Sequence, residues 1–132
     1  MYGTIKIMKI LIVEDEEMLQ QMYRDAFEQA GFDVFVASNG KEGIVEAAKE
    51  QPDFILLDIM MPEMDGVTAF GHLKEMEKTK VIPVGFLTVV PEGVPESLHH
   101  DPELLKGAVT FWRKDKISPH ELVAEVTKII QR

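Results

Sequence analysis

The residues of this chain whose types could do chemistry together are three carboxylates, a hydroxyl and an ammonium: Glu14, Asp15, Asp58, Thr88 and Lys114. They are far apart in sequence, yet each ends a short apolar run. Glu14 and Asp15 follow Ile10-Leu11-Ile12-Val13, and Asp58 follows Phe54-Ile55-Leu56-Leu57. Thr88 follows Val84-Gly85-Phe86-Leu87, and Lys114 follows Val109-Thr110-Phe111-Trp112-Arg113. If these runs are parallel strands, all the candidates reach the carboxyl edge of one sheet, where open α/β sheets bind ligands. Three crowded carboxylates would raise at least one pKa. A hard cation such as Mg²⁺ relieves that repulsion. It prefers octahedral oxygen coordination, keeps several waters, and often takes one or two carboxylates plus a phosphate. The set can therefore hold a divalent cation beside an anionic phosphoryl group.

The elements that must position these residues are legible in the periodicity. Residues 5–13 predict strand one. Residues 16–30 predict helix one, with Leu19, Met22, Tyr23, Ala26, Phe27 and Ala30 at three- and four-residue spacing and Gly31 ending the pattern. Residues 33–37 read as strand two and 41–50 as helix two, stopped before Pro52. Strand three covers 54–57. Helix three covers 66–78, with Asp65 as its N-cap. Residues 81–87 and 108–112 read as strands four and five. Ser118-Pro119-His120-Glu121 has capping-box spacing with proline at the first helical position. It opens a last helix whose buried face is Leu122, Val126, Ile129 and Ile130. Pro91, Gly93, Pro95 and Pro102 interrupt residues 89–107. That stretch supports only a turn over 96–99 and a short fourth helix over 102–106. Repeated βα units imply a parallel sheet with helices on both faces.

Composition narrows the function. The 132 residues suit one domain, 1–132, with no linker, internal repeat or attached output domain expected. A formal net charge of −9 argues against sequence-independent nucleic-acid binding, which needs a basic footprint. The absence of cysteine excludes disulfides and thiolate metal sites and fits a reducing cytoplasm. There is no signal-peptide pattern and no apolar run near the ~20 residues that span a bilayer. His72, His99, His100 and His120 do not form a metal site by spacing.

The chain resembles the receiver domains of two-component response regulators. The residues that carry the resemblance are Ile10-Leu11-Ile12-Val13-Glu14-Asp15-Glu16 and Leu56-Leu57-Asp58-Ile59-Met60-Met61-Pro62-Glu63-Met64-Asp65-Gly66, then Leu87-Thr88 and Phe111-Trp112-Arg113-Lys114 in order. The resemblance implies a flavodoxin-like (CheY-like) doubly wound sheet of five parallel strands, order 2-1-3-4-5. It implies that Asp58 is a nucleophile that takes a phosphoryl group from the histidine of a sensor kinase or histidine phosphotransfer protein. Glu14, Asp15, Asp58 and the backbone carbonyl of Met60 would hold Mg²⁺ (or Mn²⁺), Glu14 through water. Lys114 would pair with Asp58 at rest and with a phosphoryl oxygen afterwards. Thr88 would hydrogen-bond the phosphoryl group, and Phe111 would turn inward as the aromatic switch. Output would pass through the face of the fourth helix, fifth strand and last helix to a separate downstream protein.

Two residues depart from the family pattern. Asp115 follows Lys114 where the family usually has a proline after a cis peptide bond. A cis bond before a non-proline residue costs roughly 2.5–4 kcal/mol, so a trans bond is expected. Val89 stands where a small residue is usual and would crowd the approach to Asp58. Three other readings compete. A flavodoxin-like cofactor binder would need a phosphate-cradling loop where residues 14–17 are all acidic. A haloacid-dehalogenase-type hydrolase would want an acid at Met60. A pseudo-receiver, a phosphorylation-independent interaction module, usually lacks one of the key residues that this chain keeps.

Overall fold

Side chains alternate between the two faces of a strand, and here both faces are apolar, which requires cover on both sides. The computed structural model describes residues 6–89, 108 and 110–131. Strands β1 (Lys9–Val13), β2 (Asp33–Ala37), β3 (Phe54–Leu57), β4 (Val84–Thr88) and β5 (Thr110–Arg113) form one parallel sheet in the order β2-β1-β3-β4-β5. Four helices lie among the described residues: α1 (Glu17–Gln29), α2 (Gly40–Glu50), α3 (Gly66–Glu75) and α4 (Pro119–Ile130). The alternation along β1 and β3 divides the core in two. Ile10, Ile12, Phe54 and Leu56 pack with Tyr23 and Phe27 of α1 and Leu122 and Val126 of α4. Leu11, Val13, Ile55 and Leu57 pack with Ala47 of α2 and Ala69, Phe70 and Leu73 of α3.

Most expected elements form, with shifted ends. The Asp65 carboxylate caps α3 by accepting the Thr68 N–H at 2.8 Å. The Ser118–Glu121 capping box closes in both directions, at 3.1 and 3.0 Å. Helix α2 starts at Gly40 because Asn39 caps it, accepting the Glu42 N–H at 2.9 Å. Helix three ends at Glu75, short of residue 78, because the buried Thr79 hydroxyl donates to the Leu73 carbonyl at 2.6 Å and Lys80 N–H to Met76 O at 2.8 Å. That turn holds Val81 and Ile82 outside the sheet, and β4 starts after Pro83, which has no N–H for the ladder. The strand therefore runs to Thr88 and carries the candidate hydroxyl in its last position. Strand five covers Thr110–Arg113, ending one residue later than expected. On the last helix Leu122 and Val126 are buried, while Ile129 and Ile130 are only partly so. The turn expected over 96–99 and the short helix over 102–106 lie outside the described residues, as does residue 5 of strand one, which starts at Lys9.

Candidate functional site

Strand register brings the candidates together. Val13 pairs with Leu57, so Glu14 and Asp58, one residue further on, stand side by side. Asp58 N–H donates to the Val13 carbonyl at 3.1 Å, and Glu14 N–H to the Ala37 carbonyl at 3.0 Å. On the other side β4 pairs with β5, Thr88 opposite Arg113, and Lys114 N–H donates to Thr88 O at 2.9 Å. The Lys114 ammonium then reaches both acids: Asp58 Oδ2 at 3.0 Å, and Glu14 Oε1 in a short contact. The remaining carboxylate oxygens accept backbone donors, Asp58 Oδ1 from Met60 N–H at 3.2 Å and Glu14 Oε2 from Glu16 N–H at 3.1 Å. The Lys114–Asp115 peptide is trans, and the Asp115 carboxylate turns away to Arg113, which donates to it at 2.9 and 3.1 Å.

The loop after Asp58 is fixed from behind. Gly66 N–H donates to Ile59 O at 2.8 Å, and a Cβ on Gly66 would lie 2.1 Å from the Asp58 carbonyl oxygen. Only glycine allows α3 to start this close to Asp58. Glu63, within the same loop, has a φ of +67°, a left-handed conformation that a non-glycine residue adopts at some cost.

Burial makes the electrostatics strong. Glu14 is 2% exposed and Asp58 4%. Burial pushes the Glu14 carboxyl up to about 7; the hydrogen bond from Lys114 opposes this, and the charge of Asp58 adds to it. For Lys114 burial acts downward, but its hydrogen bond to Glu14 and the charge of Asp58 outweigh that, and its pKa is raised. Asp15 is exposed, and carboxylate oxygens of Glu14, Asp15 and Asp58 lie within 4.8 Å of one another. The donor set consists of hard oxygens, and one of them is a desolvated acid held near neutrality beside two others. Such a cluster fits a hard divalent cation, which would stabilise the charged form of all three. A cleft of about 330 Å³ opens over it, lined by Glu14, Asp15, Glu16, Asp58, Met60, Val89 and Lys114.

The structure thus gathers Glu14, Asp15, Asp58 and Lys114 and places Met60 beside them. Thr88 is next to the cleft without lining it; its hydroxyl donates to the Val89 carbonyl at 3.3 Å. Val89 stands at the mouth, 54% exposed. Phe111 is half-buried against the α2–α3 side of the core. Two supporting residues were not singled out by their spacing. Gln20 of α1 ties β1 to β2, its side-chain amide donating to the carbonyls of Glu14 at 3.1 Å and Ala37 at 3.3 Å. Tyr23 is buried beneath the acids, its phenol raised by burial. Its place in the apolar stripe of helix one signalled core and nothing more.

Comparison with known proteins agrees with this geometry. The family model described as "Response regulator receiver domain" matches residues 10–126. The chain is 35% identical over 124 residues to the alkaline phosphatase synthesis transcriptional regulatory protein PhoP of Bacillus subtilis, covering 94% of this chain and 49% of PhoP. It is 41% identical over 109 residues to a protein-glutamate methylesterase/protein-glutamine glutaminase of Archaeoglobus fulgidus, covering 81% of this chain and 30% of that protein. The chain therefore spans half or less of the length of these relatives. Among solved structures, the chemotaxis response regulator CheY4 of Vibrio cholerae superposes with a TM-score of 0.80 at 27% identity, covering 94% of this chain and 99% of that one. The receiver domain of the Francisella response regulator 1452 superposes with a TM-score of 0.80 at 29% identity, covering 94% and 97%. No helix among the described residues is long and apolar enough to cross a membrane. The sheet order, the acid cluster at its carboxyl edge and the family match over most of the sequence lead to one assignment: this chain belongs to the response regulator receiver domain family.

Proposed function

We propose that Asp58 accepts a phosphoryl group from the phosphohistidine of a sensor histidine kinase or histidine phosphotransfer protein, in a reaction that depends on Mg²⁺. An Asp58 carboxylate oxygen forms the new P–O bond as the P–N bond to the donor imidazole breaks, and the imidazole takes up a proton. Glu14, Asp15, Asp58 and the Met60 carbonyl would hold the ion, with Mn²⁺ an acceptable substitute. The ion would supply positive charge to the phosphoryl oxygens. Lys114 contributes the second cation, leaving its pair with Asp58 for a phosphoryl oxygen. The Thr88 hydroxyl exchanges its weak bond to Val89 O for a phosphoryl oxygen, drawing the end of β4 inward. Phe111 follows into the space vacated. The phosphorylated form is then a shift between two packings of one fold, read by a downstream protein at the face that includes β5 and α4.

The observation that supports this reading most is the single ammonium of Lys114 held between buried Glu14 and Asp58 in one open cleft. It leaves the nucleophile paired, accessible and beside two further acids. Intact-mass spectrometry after incubation with acetyl phosphate and Mg²⁺ tests it. One adduct that a chelator abolishes and Asp58→Ala lacks is the expected result. The same Lys114 contacts favour the second reading, a phosphorylation-independent pseudo-receiver, because they neutralise the acids without a metal. No adduct on the parent chain would support that reading.

A further inference from the structure

Beneath the acid cleft lies a phenol that none of the steps above uses. Tyr23, in the second turn of α1, is 2% exposed. Its ring belongs to the core layer with Ile12, Leu56 and Leu87. With these residues and Val13, Glu14 and Asp58 it walls a void too small for a water molecule. Its hydroxyl makes no hydrogen bond among the described residues. A buried tyrosine hydroxyl ordinarily finds a partner, and one left unmet is destabilising. The phenol also lies within the fields of Lys114, Glu14, Asp58 and Glu16. An idle donor therefore sits under a group of acceptors.

Those acceptors are due to lose a donor. At rest the Glu14 carboxylate has the Lys114 ammonium on one oxygen and the Glu16 N–H on the other. In the proposed reaction Lys114 turns to the phosphoryl group, and buried Glu14 gives up its side-chain donor, keeping the Glu16 amide and its share of the ion. Asp58 has by then spent one oxygen on the phosphoryl bond, and Asp15 is exposed to water. Glu14 is the buried acceptor that loses a donor, and Tyr23 is a neutral donor at the same small void.

We propose that Tyr23 is a positioning residue of this site, its hydroxyl donating to the Glu14 carboxylate once Lys114 has moved to the phosphoryl group on Asp58. The inference rests on the phosphoacceptor reading. It assigns the hydroxyl a role in one state only: unfavourable at rest, stabilising when the site is loaded.

That change of sign is the test. Tyr23→Phe removes the oxygen and keeps the ring. Thermal melts of parent and variant are compared without ligands and with Mg²⁺ plus beryllofluoride, a stable stand-in for the phosphoryl group. Without ligands the variant is expected to melt at or above the parent. With them it should gain fewer degrees, and its beryllofluoride dissociation constant should rise about tenfold, the worth of one hydrogen bond to a charged group. An equal loss in both conditions would mean a purely structural hydroxyl and overturn the proposal, as would an unchanged dissociation constant. If the parent gains nothing from Mg²⁺ and beryllofluoride, the phosphoacceptor reading fails and the role of Tyr23 falls with it.

Discussion

Helix α3 contains two glycines whose replacement by alanine should act in opposite directions. At Gly66 an added Cβ would lie 2.1 Å from the Asp58 carbonyl oxygen, 2.8 Å from its carbon and 2.8 Å from the Ile59 Cα. Ordinary carbon contacts lie near 3.5–4.0 Å, so the chains must part by about 1 Å or more. All three obstacles are backbone atoms, which have no rotamer to change. The cost belongs at the upper end of the overpacking range, about 3 kcal/mol. For a domain of this size that is roughly 10 °C in Tm. The same shift moves Asp58 against its neighbours, and a misplacement of about 1 Å can slow a positioned reaction by about 100-fold. At Gly71, in the interior of the same helix, a Cβ meets nothing within 4 Å. Alanine there lowers backbone entropy in the unfolded chain and should add about 0.5–1 kcal/mol, a few degrees in Tm. Melts followed by circular dichroism, with acetyl phosphate labelling of each variant, give both numbers. A Gly66→Ala protein that melts within about 2 °C of the parent and labels at the parent rate would refute the steric argument.

Three further outcomes are expected. Val89→Ala should open the cleft mouth and speed labelling by acetyl phosphate; a rate no higher than the parent's would show that Val89 does not restrict access. The Met60 side chain is apolar and lines the cleft, so it cannot orient an attacking water, and the aspartyl phosphate should persist for minutes or longer. Its loss within seconds, followed by phosphate release, would contradict this. The third outcome concerns Asp53. Burial acts upward on its carboxyl, but the hydrogen bonds from the Lys6 ammonium and Lys9 N–H, each 2.8 Å, prevail and hold it below the ordinary 3.8. A carboxyl depressed in the folded state adds stability above its unfolded pKa and loses it as pH falls through the folded value. Asp53→Asn should therefore cost about 1 kcal/mol near neutrality, and the gap should close as the pH drops below about 4 in chemical denaturation series. A gap that persists at low pH would mean that the charge is not the cause.

The parts of this fold that were legible in the sequence are those set by local rules. The runs Ile10-Leu11-Ile12-Val13 and Phe54-Ile55-Leu56-Leu57 are apolar on both faces, and a strand with that pattern is sandwiched between helices. Asp65 and Ser118 declare their helix starts by chemistry within four residues. The β4 boundary did not show, because Val81 and Ile82 look like strand and the buried Thr79 hydroxyl that keeps them in a turn acts through a contact with Leu73. Within the site, the shared edge of Glu14, Asp15, Asp58, Thr88 and Lys114 followed from strand ends alone. The support from Gln20 and Tyr23 did not, since nothing in a helical stripe says which member lies under a carboxylate. The fit of Gly66 against Asp58 is likewise a distance in space, with no counterpart in composition or period.

The close approach at Gly66 also gives the domain a mechanical asymmetry. On the β3–α3 side the backbone of Asp58 has no slack: helix α3 begins against it, and Gly66 N–H is fastened to Ile59 O. On the β4–β5 side the tie on the Thr88 side chain is weaker. The Thr88 hydroxyl is held only at 3.3 Å by a neighbouring carbonyl. A force applied at Asp58 does little work against a stiff wall and moves what yields. If Asp58 takes a phosphoryl group as proposed, the direction of the resulting displacement would be set by unequal constraint on the two sides of one carboxylate. A substitution that loosened the α3 side would divert part of that displacement there.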